Sequence, residues 1–280
     1  MIRKILLAVF ITIAAAGTGI LIYGHFTEQD FFEKAIKDLD INFAKHNRRI
    51  FLKSDVKALP PPVRNYLIKC IKEGQISPGF ARFKQIGKIR SSSLPDFVEI
   101  EAEGYYSTNP YGYLWRTNVK HSGFIPGNIA EFYFEGNGIT QSHMLTGVKF
   151  NYLNGGSINN LLLAKYLSNT VLFPSVLLPR KNIKWEEAGK DIARLTVFDY
   201  GNSVSVLFHF DKDNLPFKIT NDEASGDGNV FVVKLSNYQH NGGFNVPMHF
   251  EYEWLMDNNK YLNGIIDVSL LDYNTPKYFP

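Results

Sequence analysis

Two long parts of this sequence alternate apolar and polar residues with a period of two, and this pattern limits the fold more than any other feature. The first part runs from Phe80 to Tyr152 and the second from Ile183 to Asp272. The first is divided by Pro, Gly and Asn turns, and the second by short turn-forming stretches such as YGN, DKDN and HNGG. A period of two is typical of half-buried strands, and short turns join antiparallel neighbours. The pattern therefore predicts a mainly β, antiparallel fold and argues against a parallel α/β fold, since no strands alternate with long helices.

A strongly apolar segment, LLLAKYLSNTVLFPSVLLP from Leu161 to Pro179, separates the two β regions. Lys165 and Pro174 interrupt it before it reaches the ~20 apolar residues that a membrane span requires. Its apolar residues cover nearly the whole circumference of a helix, so we expect burial on several sides. Helices on the concave side of a curved antiparallel sheet, or half-barrel, would provide that burial. Pro174 fits a break or the first turn of a second short helix.

The N-terminus carries an apolar run of 19 residues, Ile5 to Tyr23, without charge or proline. Such a run is about long enough to cross ~30 Å of hydrocarbon as a helix. Arg3 and Lys4 precede it and acidic residues follow it, which places the N-terminus in the cytoplasm. We therefore predict a transmembrane anchor over residues 1–24, single-pass in the cytoplasmic (inner) membrane, with the domain outside. The alternative is a cleaved signal peptide with an A-x-A site ending at Ala16, which would give a secreted or periplasmic protein.

Helical periodicity continues after the apolar run. Thr27 can cap a helix whose apolar face contains Phe32, Ile36, Leu39 and Phe43. This pattern predicts an amphipathic linker helix over residues 25–57, which either lies on the membrane surface or packs against the domain.

The predicted β-rich extracytoplasmic domain covers residues 58–280 and begins with a second helix, LPPPVRNYLIKCI. Proline is tolerated in a first helical turn. The apolar face of this helix consists of Val63, Tyr66, Leu67 and Cys70. Cys70 is the only cysteine, so the chain has neither an internal disulfide nor a multi-cysteine metal site. We expect Cys70 to be a buried apolar residue.

The charge balance argues against nucleic acid as a partner. Two of the 30 basic residues, Arg3 and Lys4, precede the apolar run, which leaves 28 basic against 27 acidic residues. A nearly neutral domain provides no basic field for a polyanion. No glycine-rich nucleotide motif follows a strand, and no cofactor is predicted.

Several stretches, in order, resemble the motifs of a known family. They are LPPPVRNYL, LLLAKYL with LFPSVLLP, IKWEEA, and GGFNVPMHFEYEW. Together they are similar to the uncharacterised bacterial domain-of-unknown-function family 6544, with matches from about Leu59 to Asp272. This resemblance implies no known activity. The layout is also similar to the half-barrel of periplasmic lipoprotein carriers such as LolA, which concerns the fold alone.

One strand collects polar groups that are typical of catalytic or metal sites. In MHFEYEW, the side chains of His249, Glu251 and Glu253 share one face. With His209 from VLFHFD, they could bind zinc or relay protons, as in a hydrolase-like or metal-dependent enzyme. The plainer interpretation is a solvent-facing stripe, because metal ligands usually come from several elements. Whether the protein is an enzyme stays open.

The function that we rank first is binding of an apolar or lipid-like ligand between the curved sheet and the 161–179 helices. A tether would hold the domain beside a lipid source, and a covered half-barrel can open a cavity without a permanent apolar patch. We expect four residues along the cavity wall: Leu162, Tyr166, Phe173 and Trp185. Aromatic strand residues could also wall a pocket, although sheet packing explains them too; these are Tyr105, Tyr106, Tyr111, Tyr113 and Trp115. A purely structural protein of the cell envelope is a further alternative.

Overall fold

The computed structural model describes residues 2–43, 49–91, 94–120, 127–144, 148–222, 230–256, 259–275, 277 and 279. In these residues the chain forms three α-helices, short 3-10 turns and thirteen strands. The helices are α1 (Ile2–Phe43), α2 (Pro61–Cys70) and α3 (Gly156–Asn169). The strands are β1 (Phe80–Ser91), β2 (Leu94–Thr108), β3 (Tyr111–Lys120), β4 (Gly127–Phe134), β5 (Asn137–Met144), β6 (Val148–Asn154), β7 (Ile183–Gly189), β8 (Ile192–Asp199), β9 (Asn202–Phe210), β10 (Pro216–Asn221), β11 (Val230–Asn241), β12 (Phe244–Met256) and β13 (Asn259–Tyr273).

All thirteen strands belong to one antiparallel sheet with the order β6-β5-β4-β3-β2-β1-β13-β12-β11-β10-β9-β8-β7. Strands that follow one another in the chain pair with each other, so β1–β6 form one meander and β7–β13 form a second. One ladder joins the two meanders, and it runs from Ala81 opposite Tyr273 in β13 to Ile89 opposite Gly264. The mainly β, antiparallel fold that the period of two predicts is confirmed.

The sheet curls into a half-barrel. Contacts between residues that are far apart in the strand order show this curvature. The hydroxyl of Tyr133 in β4 donates a hydrogen bond to Asp199 Oδ2 at the end of β8, at 2.7 Å. Asn202 Nδ2, at the start of β9, donates to the carbonyl oxygen of Gly136, at 2.9 Å. These contacts connect the two ends of the sheet through side chains, while β6 and β7 remain its edges.

The concave side of the half-barrel is filled by α2, α3 and the segment after α3. In α2 the predicted apolar face is buried, and it consists of Val63, Tyr66, Leu67 and Cys70. The prediction that helices lie on the concave side of the sheet is therefore confirmed. Pro174 begins a second short helix, as expected, and this helix is a 3-10 turn, Pro174–Leu177, that follows a first one, Thr170–Leu172. Phe173 between them has φ −143° and ψ 65°, and Pro174 has no N–H with which to continue the hydrogen-bond ladder.

The opposite, convex face packs against the C-terminal part of α1. Phe32, Ile36 and Leu39 are buried there against Leu114 of β3 and Ala130 of β4. Side chains of consecutive strand residues point to opposite faces, so one meander contacts α3 on its concave face and α1 on its convex face.

α1 is one uninterrupted helix, so the apolar run and the amphipathic segment are not separate helices. Thr27 does not cap a helix start; its hydroxyl donates to the carbonyl oxygen of Gly24, at 2.9 Å, within α1. The side chain of Phe43 and residues 44–48 of the predicted linker lie outside the described residues. The division of the chain at residues 24 and 57 stays a prediction.

Candidate functional site

A cavity of about 210 Å³ lies on the concave side between α3 and strands from both meanders. Its wall contains six aromatic residues, Tyr106, Tyr113, Trp115, Phe231, Tyr252 and Trp254. Aliphatic wall residues are Ile89, Ile129 and Ile266, with Gly264 between them. Polar wall residues are Gln85, Arg90, Glu131, Lys165, Asn169 and Asn263. The cavity therefore combines apolar walls with a few polar groups, which is typical of sites for small ligands.

Strand alternation and register bring the aromatic wall together. Tyr106 of β2 lies opposite Tyr113 of β3, and their rings stack with centroids 5.0 Å apart. Two residues further along β3, Trp115 faces the same side, opposite Gly104. A side chain at Gly104 would collide with the ring of Phe83, because a Cβ there would lie 2.4 Å from that ring. The missing side chain at residue 104 thus lets the aromatic rings pack closely at the inner end of the cavity.

The inner polar groups of the cavity bond to one another. Lys165 of α3 forms an ion pair with Glu131 of β4, and the Tyr113 hydroxyl donates to Glu131 Oε2 at 3.3 Å. Trp115 Nε1 donates to Gln85 Oε1 at 2.9 Å. Burial raises the pKa of the Tyr113 phenol well above its ordinary value, and the Glu131 carboxylate raises it further. Tyr113 therefore remains a neutral donor and is not an ionised nucleophile.

The outer polar groups of the cavity retain hydrogen-bonding capacity. Arg90 Nε donates to the Leu262 carbonyl at 2.6 Å, and its guanidinium lies 4.8 Å from the centroid of the Phe97 ring. Arg90 forms no ion pair with a carboxylate of the described residues. Asn263 Oδ1 is buried, and no hydrogen-bond donor reaches it in the described part of the chain. Among the described residues, this end of the cavity thus has one free acceptor, Asn263 Oδ1, and one cation without a carboxylate partner at its edge, Arg90.

Of the four residues predicted for the cavity wall, three lie in the core and Trp185 packs against it. Leu162, Tyr166 and Phe173 are fully buried, and Tyr166 donates its hydroxyl to the Ser107 carbonyl at 2.8 Å. Trp185 is half-buried and donates Nε1 to the Leu177 carbonyl at 3.0 Å. None of the four belongs to the wall of the cavity. Their role in ligand binding therefore has no direct contact to support it.

Residues near the predicted ones form the actual wall. Lys165 and Asn169 come from the same helix as Leu162. Of the aromatic residues singled out in the first β region, Tyr106, Tyr113 and Trp115 line the cavity, while Tyr105 packs on the convex face and Tyr111 lies in the main core. Tyr252 and Trp254 occupy the face opposite to the polar stripe of MHFEYEW, and the period of two could have assigned both to the concave side.

The polar stripe lies on the convex face and is held by local ion pairs. His249 Nδ1 and Asp267 Oδ1 are 2.7 Å apart. Lys234 Nζ donates to Glu253 at 2.5 Å and to Glu251 at 3.4 Å. Each carboxylate of the stripe thus has a cation beside it, as expected for a solvated strand face.

His209 is not part of this stripe. It pairs with Lys218 of β10, and Lys218 pairs with Lys234 of β11, which in turn pairs with Glu251 of β12. Three strand spacings of ~4.8 Å therefore separate His209 from Glu251. Within the described ranges, no group of three or more His, Cys, Asp or Glu side chains could hold a metal ion. The convergence that the enzyme hypothesis requires is not found among these four side chains.

The fold and the cavity together define a class of protein: a half-barrel of antiparallel strands, filled by helices, with an aromatic-lined cavity beside them. The chain belongs to the family of unknown function DUF6544, whose model matches residues 49–264. No protein of curated function matches this sequence significantly.

Several solved structures are similar to this chain at low identity. A LolA superfamily protein from Nitrosomonas europaea has 10% identity and a TM-score of 0.42, over 78% of this chain and 93% of that one. A putative outer membrane lipoprotein-sorting protein domain from Vibrio parahaemolyticus has 10% identity and a TM-score of 0.36, over 70% of this chain and 86% of that one. A porin-like protein from Bacteroides uniformis has 7% identity and a TM-score of 0.29, over 69% and 97%. Because these TM-scores are below 0.5, we infer the function from the cavity and from α1.

Proposed function

We propose that this protein is anchored in a membrane by α1 and binds an apolar or lipid-like ligand in the aromatic-lined cavity. The observation that carries the proposal is the exposure of apolar surface inside the cavity. Trp115, Tyr252 and Trp254 are only half-buried although they lie on the concave face, where the neighbouring core is closely packed. Aromatic surface left open in a concave, mostly apolar site is the usual wall of a small-ligand pocket.

The volume of the cavity limits the size of the bound group. At about 210 Å³ it lies below the ~300–1,000 Å³ of typical ligand pockets. It therefore accommodates part of an acyl chain, while the remainder of the ligand stays at the open end. Arg90 and Asn263 lie at that end and offer a cation and a hydrogen-bond acceptor to a polar head group.

The membrane anchor is supported by the burial pattern along α1. In the described part of the chain, α1 is the one helix long and apolar enough to cross a membrane, and none of its most apolar 18-residue window is buried. Phe10 and Ile13, for example, are 70% and 67% exposed, whereas Leu39 of the same helix is fully buried. An apolar helical surface of this length needs a hydrocarbon environment, because monomeric proteins in water rarely expose such large patches.

Obstruction of the cavity tests the proposal. Gly264 lies in the wall, and a Cβ there would make ordinary contacts, 3.4 Å from Ile89 Cγ2 and 3.6 Å from Tyr252 Cδ2. Gly264→Leu should therefore fill the cavity, while Gly264→Ala is the matched control. We expect the full-length protein in detergent to bind dansylaminoundecanoic acid, a fluorescent acyl probe, with about tenfold weaker affinity in Gly264→Leu and little change in Gly264→Ala, since several buried methylenes at ~0.8 kcal/mol each are at stake.

Two results would refute the ligand-binding proposal. One is equal affinity of wild type and Gly264→Leu for the probe, with both proteins folded by circular dichroism. The other is a wild-type protein that shows no saturable binding and from which mass spectrometry recovers no lipid after gentle purification.

A further inference from the structure

We infer that the open end of the cavity faces the membrane that holds α1, so that the cavity takes its ligand from the outer leaflet of that bilayer. This inference rests on the proposed anchor and on the proposed ligand. It specifies the orientation of the domain and the source of the ligand. The same helix that crosses the membrane also determines which end of the half-barrel lies next to the lipids.

The docking of α1 shows which end that is. Near the start of its docked part, Glu28 is buried and its Oε1 lies 3.8 Å from His143 Nδ1 of β5, which pairs with Asn128 of β4. Eleven residues later, Leu39 lies against Gly112, where an added Cβ would be 2.7 Å from Leu39 Cδ2. α1 therefore runs along the strands, and its apolar N-terminal part leaves the sheet beyond Asn128.

The strand register shows which cavity residues lie at the same height as Asn128, where α1 leaves the sheet. Asn128 pairs with Asn118 of β3, Asn118 with Glu101 of β2, and Glu101 with Ile86 of β1. Ile86 is thus level with the place at which α1 leaves the sheet. The cavity extends from there in the same direction, because Ile89 and Arg90 follow Ile86 along β1 and belong to its wall.

Exposure along the cavity agrees with an opening at that end. The inner aromatic residues, Tyr106 and Tyr113, are 1% exposed. Ile89, Arg90 and Trp254, at the other end, are only half-buried. Part of the wall is therefore accessible at the strand ends past which α1 enters the membrane.

The lengths of β-strand and α-helix on either side of this level place the open end near the lipid head groups. Arg90 lies four residues beyond Ile86, which is ~13 Å of β-strand. Tyr23, the last residue of the apolar run, lies five residues before Glu28, which is ~8 Å of α-helix. The open end of the cavity and the end of the hydrocarbon-spanning run therefore differ in height by only a few ångström, within the thickness of the head-group region.

The chemistry of this end suits an anionic phospholipid surface. Arg90 and Lys88 both lie over the ring of Phe97, at 4.8 Å and 5.1 Å, and Trp254 is close to the opening. Basic and aromatic side chains of this kind prefer the membrane interface, and cations near the surface attract anionic lipids. Arg90, which has no carboxylate partner in the described part of the chain, is placed to bind the phosphate of a lipid whose acyl chain enters the cavity.

Lengthening the helix between membrane and domain tests the inference. Seven residues, AEAAAKA, inserted between Tyr23 and Gly24 would raise the domain by ~10 Å and preserve the helix faces to within ~20°. The same heptad inserted between Arg3 and Lys4 is the control, because it leaves the height of the domain unchanged. Each protein is reconstituted in vesicles of deuterated phosphatidylglycerol, and lipid carried on the released protein is counted by native mass spectrometry.

We expect the Tyr23/Gly24 insertion to reduce uptake of deuterated lipid at least fivefold, while its affinity for the soluble acyl probe in detergent equals that of wild type. The Arg3/Lys4 insertion should behave as wild type in both measurements. Undiminished uptake by the Tyr23/Gly24 variant would overturn the inference and leave ligand binding intact. Absence of probe binding by the wild-type protein would instead overturn the proposed function.

Spin labels test the orientation independently of any ligand. Tyr261→Cys places a label opposite Trp254 at the open end, and His240→Cys places one nine residues away along the paired strand β12, near Asn245, or ~30 Å. Both positions are exposed, and the native Cys70 is buried. In vesicles, the label at residue 261 should show greater contact with oxygen dissolved in the lipid than with an aqueous nickel chelate, and the label at residue 240 the reverse. Equal aqueous contact at both positions would overturn the inference.

Discussion

His209 is a histidine kept neutral by its surroundings. Its Nε2 is buried, and no hydrogen-bond partner is found for it among the described residues. Burial, together with a smaller effect of the nearby Lys218 ammonium, lowers the pKa of His209 to about 4. Below its ordinary pKa of ~6.5 the unfolded chain binds a proton at this residue and the folded chain does not. His209 therefore makes the folded state less stable as the pH falls from 6.5 towards 4.

This property predicts a measurable change on substitution. In wild type, the contribution of His209 to the free energy of unfolding should fall by about 1 to 2 kcal/mol between pH 6.5 and pH 5. His209→Leu removes the titrating ring, so urea unfolding of this variant should depend less on pH over that interval. His240→Gln, at an exposed position, serves as the control. If wild type and His209→Leu showed the same pH dependence, the low pKa of His209 would be refuted.

At the level of single residues, sequence patterns located the wall of the cavity only in part. Tyr106, Tyr113 and Trp115 were accessible to prediction because strand periodicity assigns them to one face. Leu162 and Phe173 were expected in the wall but fill the core. A cavity forms where side chains from several elements leave space, as at Gly264, and that balance of volumes depends on the register of distant strands. The periodicity of a sequence does not specify which residues of two distant strands pair with each other.

α3 is the element that holds the concave side together. Leu162 is fully buried in it, with Cδ1 close to Gly138 of β5, where an added Cβ would lie 3.0 Å away. This tight contact fixes the helix over the first meander. The apolar composition of the 161–179 segment predicted its burial correctly, because an all-round apolar helix has no face that tolerates water.

A charge at residue 162 should be strongly destabilising. Leu162→Asp would place a carboxylate among apolar side chains without a partner, and we expect a loss of more than about 4 kcal/mol of unfolding free energy. Asn160→Asp, on the exposed side of the same helix, is the control and should change stability by less than ~0.5 kcal/mol. Unfolding in urea, followed by circular dichroism, measures both. Wild-type stability of Leu162→Asp would remove α3 from the core.

α1 illustrates where local signals fail at the scale of an element. Thr27 followed by acidic residues is a common start of a helix, yet the helix continues through it. The packing of Phe32 and Leu39 on the convex face requires a helix there, and the apolar run before Gly24 favours the same conformation in a membrane. Two adjacent helical segments without a proline between them then merge, because extending a helix costs far less than starting one.

At the scale of the whole molecule, the proposed topology predicts accessibility from one side of the membrane only. Protease added to intact spheroplasts should digest the domain after α1, because in this topology the basic residues Arg3 and Lys4 stay in the cytoplasm and the domain lies outside. Protection of the domain until the cells are lysed would contradict this orientation. Recovery of a protein that begins after Ala16 would instead show the cleavage of a signal peptide.

The arrangement of the two meanders was beyond prediction from sequence, although each meander was not. Hairpins join neighbours in the chain, so the strands within Phe80–Tyr152 and within Ile183–Asp272 pair in sequential order. The pairing of β1 with β13 has no local signal, since neither turn chemistry nor periodicity identifies a partner so far along the chain.

That single ladder between β1 and β13 also has a consequence for the order in which the chain folds. Each meander assembles from contacts close in sequence, but Ala81 meets Tyr273 only after nearly the whole domain has been synthesised. Closing so long a loop is entropically costly and slow. Until it closes, the edge of β1 is an unpaired template that another chain could join. The nascent chain therefore passes through an aggregation-prone stage, which ends when its last strand arrives.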